Sequence, residues 1–226
     1  MPAPIVKICC IASVEEALLA LGAGARALGL VSAMPSGPGV IDDEAIAAIA
    51  TAVRRHAPGA DTFLLTARTH AEAIAEQHAA AGTTTLQLVD HVPHEELRRL
   101  RALRPQARLV QVIHVRDADA LEEARAAAPL VDALLLDSGN PALAVKELGG
   151  TGRTHDWAVS RRIRDAVHPL PLFLAGGLHA GNVAEAIATV RPHGLDLCSK
   201  VRTEGRLDPV KLAAFMGAVT GGANLA

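Results

Sequence analysis

Aromatic side chains are almost absent from this sequence. Phenylalanine, tryptophan and tyrosine together make up 2% of its 226 residues, and there is no tyrosine at all. Because half of the residues are still hydrophobic, the chain can bury a sizeable core, which must be built from alanine, leucine, valine and isoleucine. The length suits one large domain or two small ones, and α/β barrels commonly run this long as one domain.

A strong charge of either sign is missing as well. The formal net charge is −2 at neutral pH, which argues against a nucleic-acid or membrane-surface partner. No apolar run reaches the roughly 18 residues that a bilayer-spanning helix needs. The first residues, Met1 to Lys7, lack the charged-then-apolar layout of a signal peptide. We therefore expect a soluble, cytoplasmic protein.

Cysteine is scarce, and the three cysteines are Cys9, Cys10 and Cys198. An odd count with one adjacent pair is a poor disulfide framework and indicates a reducing compartment. The chain also lacks Cys-x-x-Cys and His-x-x-x-His pairs, so we expect no metal site.

Short β-type runs alternate with alanine-rich amphipathic segments from one end of the chain to the other. The predicted strands are Ile5–Cys9, Ala27–Val31, Thr62–Leu65, Thr85–Leu88, Leu109–His114, Ala133–Asp137, Leu172–Ala175 and Leu195–Cys198. The predicted helices are Ser13–Leu21, Asp43–His56, Thr69–Ala80, Pro93–Leu103, Asp117–Ala127, Trp157–Val167, Gly181–Val190 and Pro209–Ala218. Short, near-continuous apolar strands are typical of a parallel sheet buried on both faces.

Eight such units at fairly even spacing predict an α/β protein, a single (β/α)8 TIM barrel that spans residues 1–226. A doubly wound open sheet is the alternative. A doubly wound sheet would require a glycine-rich dinucleotide-binding turn after the first strand, where this chain has Cys9-Cys10-Ile11-Ala12. Two longer loops, Met34–Val40 and Ser138–Asp156, follow strands 2 and 6 and so belong to the face where such barrels do chemistry.

Two strands end on residues that can carry acid–base chemistry. Cys9 closes strand 1, and strand alternation puts it on the same side as Lys7. Asp137 closes strand 6 directly after the apolar run Ala133–Leu136, and a carboxylate at that position in a barrel mouth is a catalytic candidate. The structural alternatives are a small core residue for the cysteine and a loop-capping residue for the aspartate.

Glycine clusters follow strands 6 and 7. The first is Gly149-Gly150-Thr151-Gly152, and the second is Gly176-Gly177, with Asn182 soon after. Closely spaced glycines let backbone N–H groups approach an anion, and barrels often hold phosphate at this end. Ser199 and Lys200, after strand 8, would complete an anion site, whereas plain turns and a solvated lysine are the alternative.

These motifs resemble, in order along the chain, those of the phosphoribosylanthranilate isomerase family. Its members open on Lys-Ile-Cys-Gly and carry a Leu-Leu-Asp segment, a Gly-Gly-[Thr/Ser]-Gly loop, an Asp-Trp pair and a Val-Asp-Val-Ser-Ser-Gly-Val-Glu run. The matching residues here are Lys7-Ile8-Cys9, Leu135-Leu136-Asp137, Gly149-Gly150-Thr151-Gly152, Asp156-Trp157, Leu174-Ala175-Gly176-Gly177-Leu178, Asn182-Val183, Ala186-Ile187, Asp196 and Ser199.

The resemblance implies an Amadori rearrangement of an aminoaldose phosphate, with Asp137 as the acid that opens the furanose ring and Cys9 as the base that removes the C2 proton. It implies a phosphorylated small-molecule substrate, no metal or organic cofactor, and a monomer or homodimer. The expected substrate- and phosphate-binding residues are Gly150, Gly152, Gly176, Gly177, Asp196, Ser199 and Lys200. Further candidates for ligand contact are Lys7, His114 and Arg202.

The chain departs from the family pattern on the anthranilate side. Pro38 stands where the family has the arginine that holds the anthranilate carboxylate, and Val89 replaces a histidine after strand 4. Cys10 replaces a glycine, and Cys198-Ser199-Lys200-Val201-Arg202 stands where the family has Ser-Ser-Gly-Val-Glu. Three hypotheses therefore stay open: the tryptophan-pathway isomerase, a paralogous isomerase for another phosphorylated sugar, and a non-catalytic phosphometabolite-binding barrel. Because a closed barrel pairs strand 8 with strand 1, we also expect Cys198 to lie close to Cys9 or Cys10.

Overall fold

The computed structural model describes residues 3–117, 119–139, 143, 146, 148 and 154–223. Eight parallel strands close into a barrel in the order of the chain, each paired with the next and β8 with β1. The strands are β1 (Ile5–Ile8), β2 (Ala27–Val31), β3 (Asp61–Thr66), β4 (Thr85–Leu88), β5 (Arg108–His114), β6 (Ala133–Asp137), β7 (Leu172–Leu174) and β8 (Gly194–Leu197). The predicted (β/α)8 barrel is confirmed.

Helices alternate with the strands and surround the barrel. They are α1 (Val14–Gly22), α2 (Asp43–His56), α3 (Ala71–Ala81), α4 (His94–Leu103), α5 (Ala120–Ala127), α6 (Trp157–Val167), α7 (Val183–Val190) and α8 (Pro209–Ala223). A short antiparallel pair, β9 (Arg202–Thr203) and β10 (Arg206–Leu207), lies between β8 and α8. Within the part of the chain that the structure describes, no helix is long and apolar enough to cross a membrane.

Each strand is buried on both sides, which explains why the strand sequences are nearly continuous apolar runs. In β6, Leu134 and Leu136 pack outward against the helices, whereas Ala133 and Leu135 belong to the packing inside the barrel. The rare aromatic residues are used inside, where the rings of Phe63 and Phe173 meet edge to face at 5.8 Å. Alternation therefore fixes which residue at each strand end faces the mouth.

Helix starts are where the sequence-based bounds were least accurate. Ser13 caps α1, and its side chain accepts a hydrogen bond from the backbone N–H of Glu16. The prediction that α5 begins at Asp117 was wrong, because this side chain instead accepts from the backbone N–H of Asp119 in a turn before the helix. The prediction that α8 ends at Ala218 was also wrong, since the helix continues to Ala223.

Candidate active site

A cavity opens at the C-terminal ends of the strands. Its volume, counted together with the open space at the mouth, is about 690 Å³. Cys9 and Asp137 both line it. The other lining residues are Cys10, Val31, Met34, Ser36, Gly37, Pro38, Leu65, Gln87, Leu148, Ala175, Gly176, Gly177, Leu178, Asp196, Leu197, Cys198, Ser199 and Lys200.

Cys9 is held in place by strand pairing and by the absence of a side chain on its neighbour. Its backbone N–H donates to the carbonyl oxygen of Leu197 at 2.9 Å, so β8 fixes the end of β1. On β2, a Cβ atom added to Gly29 would stand 2.8 Å from the Cys9 sulfur and 3.0 Å from Nζ of Lys7. Glycine at this position is therefore what leaves room for the thiol and the ammonium group side by side.

Lys7, a further candidate for ligand contact, is fully buried, is not among the lining residues and forms an ion pair with Asp196. Its Nζ donates to Oδ1 of Asp196 at 2.8 Å and lies 5.2 Å from the centre of the Phe63 ring. Burial is the largest single effect and would lower the pKa of Lys7, but the attraction of Asp196, Cys9 and Cys10 and the hydrogen bond to Asp196 together outweigh it, and the pKa is raised. The ammonium group is thus a permanent positive charge next to Cys9.

Asp137 is suited to act as a proton donor near neutral pH. Burial raises its pKa from the ordinary value of 3.8 to about 6, and the negative charge of Asp196 adds to this rise. A backbone hydrogen bond from Ser138, 2.7 Å from Oδ1, and the charge of Lys7 act in the opposite direction. The carboxyl therefore carries its proton for part of the time at neutral pH, as a general acid must.

Two glycines of the loop after β7 also line the cavity. Gly176 and Gly177 have φ angles of 83° and 64°, which favour glycine. Asn182 holds this loop, since its Nδ2 donates to the carbonyl of Gly177 at 3.1 Å. Ser199 and Lys200 line the cavity near this loop, and Lys200 has no ion pair with any residue the structure describes. Gly150 and Gly152, which the sequence also placed at the phosphate, lie outside the described residues.

The loop after β2 also lines the cavity, and its described residues include no cation. Pro38 lines the cavity together with Met34, Ser36 and Leu148.

Just outside the lining, Lys146 forms an ion pair with Asp90 at 2.5 Å, and Ser36 donates a hydrogen bond to the carbonyl of Lys146. The long loop after β6 is thus attached at this point to the loops that follow β2 and β4.

His114 and Arg202, both candidates for ligand contact, are not among the lining residues. Nε2 of His114 is 3.0 Å from the carbonyl oxygen of Val89, and burial lowers the pKa of this histidine. The guanidinium of Arg202 pairs with the carboxylate of Glu16 at 3.0 Å and donates to the carbonyl oxygens of Cys9 and Cys10. Arg202 thus holds the turn after β1 through the backbone carbonyl oxygens of that turn.

Sequence reasoning missed Gln87 as a site residue. This side chain lines the cavity from β4, is buried, and has an Oε1 atom without a partner among the described residues. The signal was present in the sequence, because a polar residue on the inward face of an apolar barrel strand needs a partner or a ligand.

Fold and site together define the class of (β/α)8-barrel enzymes, with an acid and a thiol at the C-terminal mouth. The model of the N-(5'-phosphoribosyl)anthranilate isomerase family matches residues 6–218. The chain belongs to this family.

Individual relatives agree with this assignment. The N-(5'-phosphoribosyl)anthranilate isomerase of Methanocella arvoryzae is 34% identical over 207 residues, which cover 92% of this chain and 93% of the relative. The crystal structure of the phosphoribosyl anthranilate isomerase from Thermotoga maritima has 27% identity and a TM-score of 0.81, with coverage of 96% and 99%. A structure of such an isomerase in complex with reduced 1-(o-carboxyphenylamino)-1-deoxyribulose 5-phosphate has 25% identity, a TM-score of 0.79 and the same coverage.

Proposed function

We propose that this chain catalyses the Amadori rearrangement of N-(5'-phosphoribosyl)anthranilate to 1-(o-carboxyphenylamino)-1-deoxyribulose 5-phosphate, an isomerisation of tryptophan biosynthesis. The observation that carries the proposal is that Cys9 and a carboxyl group with a raised pKa, Asp137, line one cavity. Family membership supports it, and so does the ligand of the related complex, which carries the same phosphorylated, carboxyphenylamino-substituted skeleton.

The two residues divide the proton transfers between them. Asp137 gives its proton to the ring oxygen, and the C1–O bond breaks to leave an open-chain iminium ion. Cys9, as the thiolate, then takes the proton from C2, and the electron pair of that C–H bond neutralises the iminium nitrogen. The resulting enolamine tautomerises to the ketone when a proton is added at C1 and the proton of the C2 hydroxyl group is lost. The ammonium group of Lys7 would stabilise the thiolate that begins this step.

The end of the cavity formed by Gly176, Gly177, Ser199 and Lys200 is the proposed phosphate site. Backbone N–H groups of a glycine turn and a serine hydroxyl donate to phosphate oxygens, and an ammonium group adds charge-assisted hydrogen bonds. Gly150 and Gly152 would donate from the loop after β6. Asp196 would contribute through Lys7, to which it is bound. We propose that residues 1–226 act as one domain and that the reaction needs no metal or cofactor.

The anthranilate end favours a weak version of this activity. Pro38 stands where the family arginine would hold the substrate carboxylate, and Lys146 close by is already paired with Asp90. A bidentate arginine–carboxylate contact contributes about 1–3 kcal/mol. The same feature favours a second candidate, in which the preferred substrate is another phosphorylated aminoaldose that lacks this carboxylate.

The experiment is a kinetic comparison of the natural protein with Pro38→Arg, which follows the loss of phosphoribosylanthranilate fluorescence. We expect kcat/KM below about 10⁴ M⁻¹s⁻¹ for the natural protein and a higher value for the variant. A value already above that level would show that the pocket binds the carboxylate by other means. No turnover by either protein would refute the proposed substrate and favour the second candidate.

A further inference from the structure

The cavity contains a thiol pair for which the isomerisation has no use. Cys10 and Cys198 both line the cavity, Cys10 buried and Cys198 half-buried. Cys10 has a φ angle of 63°, a left-handed conformation that favours glycine, and its thiol lies 3.5 Å from the carbonyl oxygen of Pro38. An L side chain is thus kept at a position where the backbone disfavours it.

Barrel closure brings these two thiols together. The pairing of Ile8 with Leu197 places Cys9 beside Cys198 at the mouth, with Cys10 one residue further along. There the thiol of Cys10 interacts with the thiols of both Cys198 and Cys9. The thiol of Cys198 interacts with that of Cys10, which makes Cys10 its candidate partner for a disulfide. Cα atoms in register on adjacent strands are about 5 Å apart, and the one-residue offset of Cys10 keeps the pair on neighbouring strand ends.

Cys10 and Arg202 together make Cys198 the more reactive member of the pair. The guanidinium of Arg202 is almost fully buried, and its Nε atom has no hydrogen-bond partner among the described residues. Hydrogen bonding from the Cys10 thiol and the charge of Arg202 lower the pKa of Cys198, while the same interaction raises the pKa of Cys10. At neutral pH the cavity therefore offers one activated sulfur at Cys198 and one protonated thiol beside it.

We propose that Cys198 is an oxidation site for hydroperoxides, resolved by Cys10 as a reversible disulfide. The Cys198 thiolate attacks one peroxide oxygen, the O–O bond breaks, and an alcohol or water leaves as the sulfur becomes a sulfenic acid. The Cys10 sulfur then attacks the Cys198 sulfur, its proton leaves with the hydroxyl group as water, and the S–S bond forms. Two thiols are oxidised and one peroxide is reduced. An external dithiol reverses the step by thiol–disulfide exchange.

The disulfide switches the site off because Cys10 directly follows the proposed base. Bonding the Cys10 sulfur to Cys198 would displace the turn that carries Cys9. Arg202 holds this turn in its present position by donating to the carbonyl oxygens of Cys9 and Cys10. The bridge also crosses the cavity wall beside Ser199. This consequence for activity rests on the proposed function, whereas formation of the disulfide does not.

The test treats the reduced full-length protein with hydrogen peroxide and follows intact mass, peptide linkage and isomerase activity. We expect the mass to fall by two hydrogen atoms, with Cys10 linked to Cys198. Activity should fall by about tenfold or more and return with dithiothreitol. Cys198→Ser and Cys10→Gly, which restore the residues of the family pattern, should form no such link. Each should keep a larger fraction of its own untreated activity than the natural protein keeps.

Three outcomes would overturn the proposal. They are three free thiols after treatment, a disulfide that involves Cys9 instead, or equal activity losses in the natural protein and Cys198→Ser. If the protein has no isomerase activity at all, the proposed function fails, but mass and peptide linkage still decide whether the disulfide forms.

Discussion

Replacing Asp137 by asparagine should make the protein more stable at neutral pH. The raised pKa means that folding disfavours the charged carboxylate. The protonated form of Asp137 is therefore the more stable one in the folded protein, and this contribution to stability exists only at low pH. That contribution is present below about pH 4 and is lost as the pH rises through about 6. A rise of the pKa from 3.8 to about 6 corresponds to a loss of about 3 kcal/mol of unfolding free energy once the pH is well above 6. Asparagine keeps an Oδ1 acceptor for the Ser138 N–H and carries no charge.

The assay is urea unfolding of the natural protein and Asp137→Asn at pH 4.5 and pH 8. Linkage predicts that the charged carboxylate costs the natural protein about 1 kcal/mol of unfolding free energy at pH 4.5 and about 3 kcal/mol at pH 8. The gain in unfolding free energy of the variant over the natural protein should therefore be about 2 kcal/mol larger at pH 8. Glu44→Gln, at an exposed carboxyl of α2, is the matched control and should show no such difference. An equal gain at both pH values would refute the claim that burial raises this pKa.

The protonation state of the same group should limit catalysis. Because the acid must carry its proton, kcat/KM should fall by about tenfold for each pH unit well above 6. A pH–rate profile measured from pH 5 to pH 9 checks this. A profile that is flat to pH 9 would show that Asp137 does not donate the proton.

Three substitutions test the packing and charge around the cavity. Lys7→Met should cost about 3–5 kcal/mol of unfolding free energy because it leaves Asp196 buried without its partner, and adding Asp196→Leu should restore most of it. Gly29→Ala should abolish turnover with little change in helical circular dichroism, since the new methyl group meets the Cys9 sulfur at 2.8 Å. Lys200→Gly should weaken inorganic phosphate binding by about 1–3 kcal/mol, and an unchanged affinity would mean that the lysine points to solvent.

The fold was predictable because each βα unit carries its own local signal. Strand runs such as Ala133–Asp137 and the cap at Ser13 are short-range features, and the predicted bounds of β6 match the structure. Helix starts were less predictable, because a side chain such as Asp117 can accept from a turn or cap a helix with similar energy.

The site was predictable where position along a strand decides orientation, and not where distant residues pair. Cys9 and Asp137 line one cavity because Cys9 directly follows β1 and Asp137 is the last residue of β6. The role of Arg202 could not be read from sequence, since its partner Glu16 lies 186 residues earlier and approaches only when the barrel closes. The burial of Gln87 could be predicted from strand alternation. That this polar side chain lines the cavity could be seen only in the structure.

The most direct test of the account is to measure kcat/KM with phosphoribosylanthranilate for the natural protein, Cys9→Ser and Asp137→Asn under the same conditions. We expect measurable turnover by the natural protein and losses of about 10²–10⁴-fold in each variant, with urea unfolding showing that both variants are folded. Turnover at the natural rate by either variant, or none by the natural protein, would contradict this expectation.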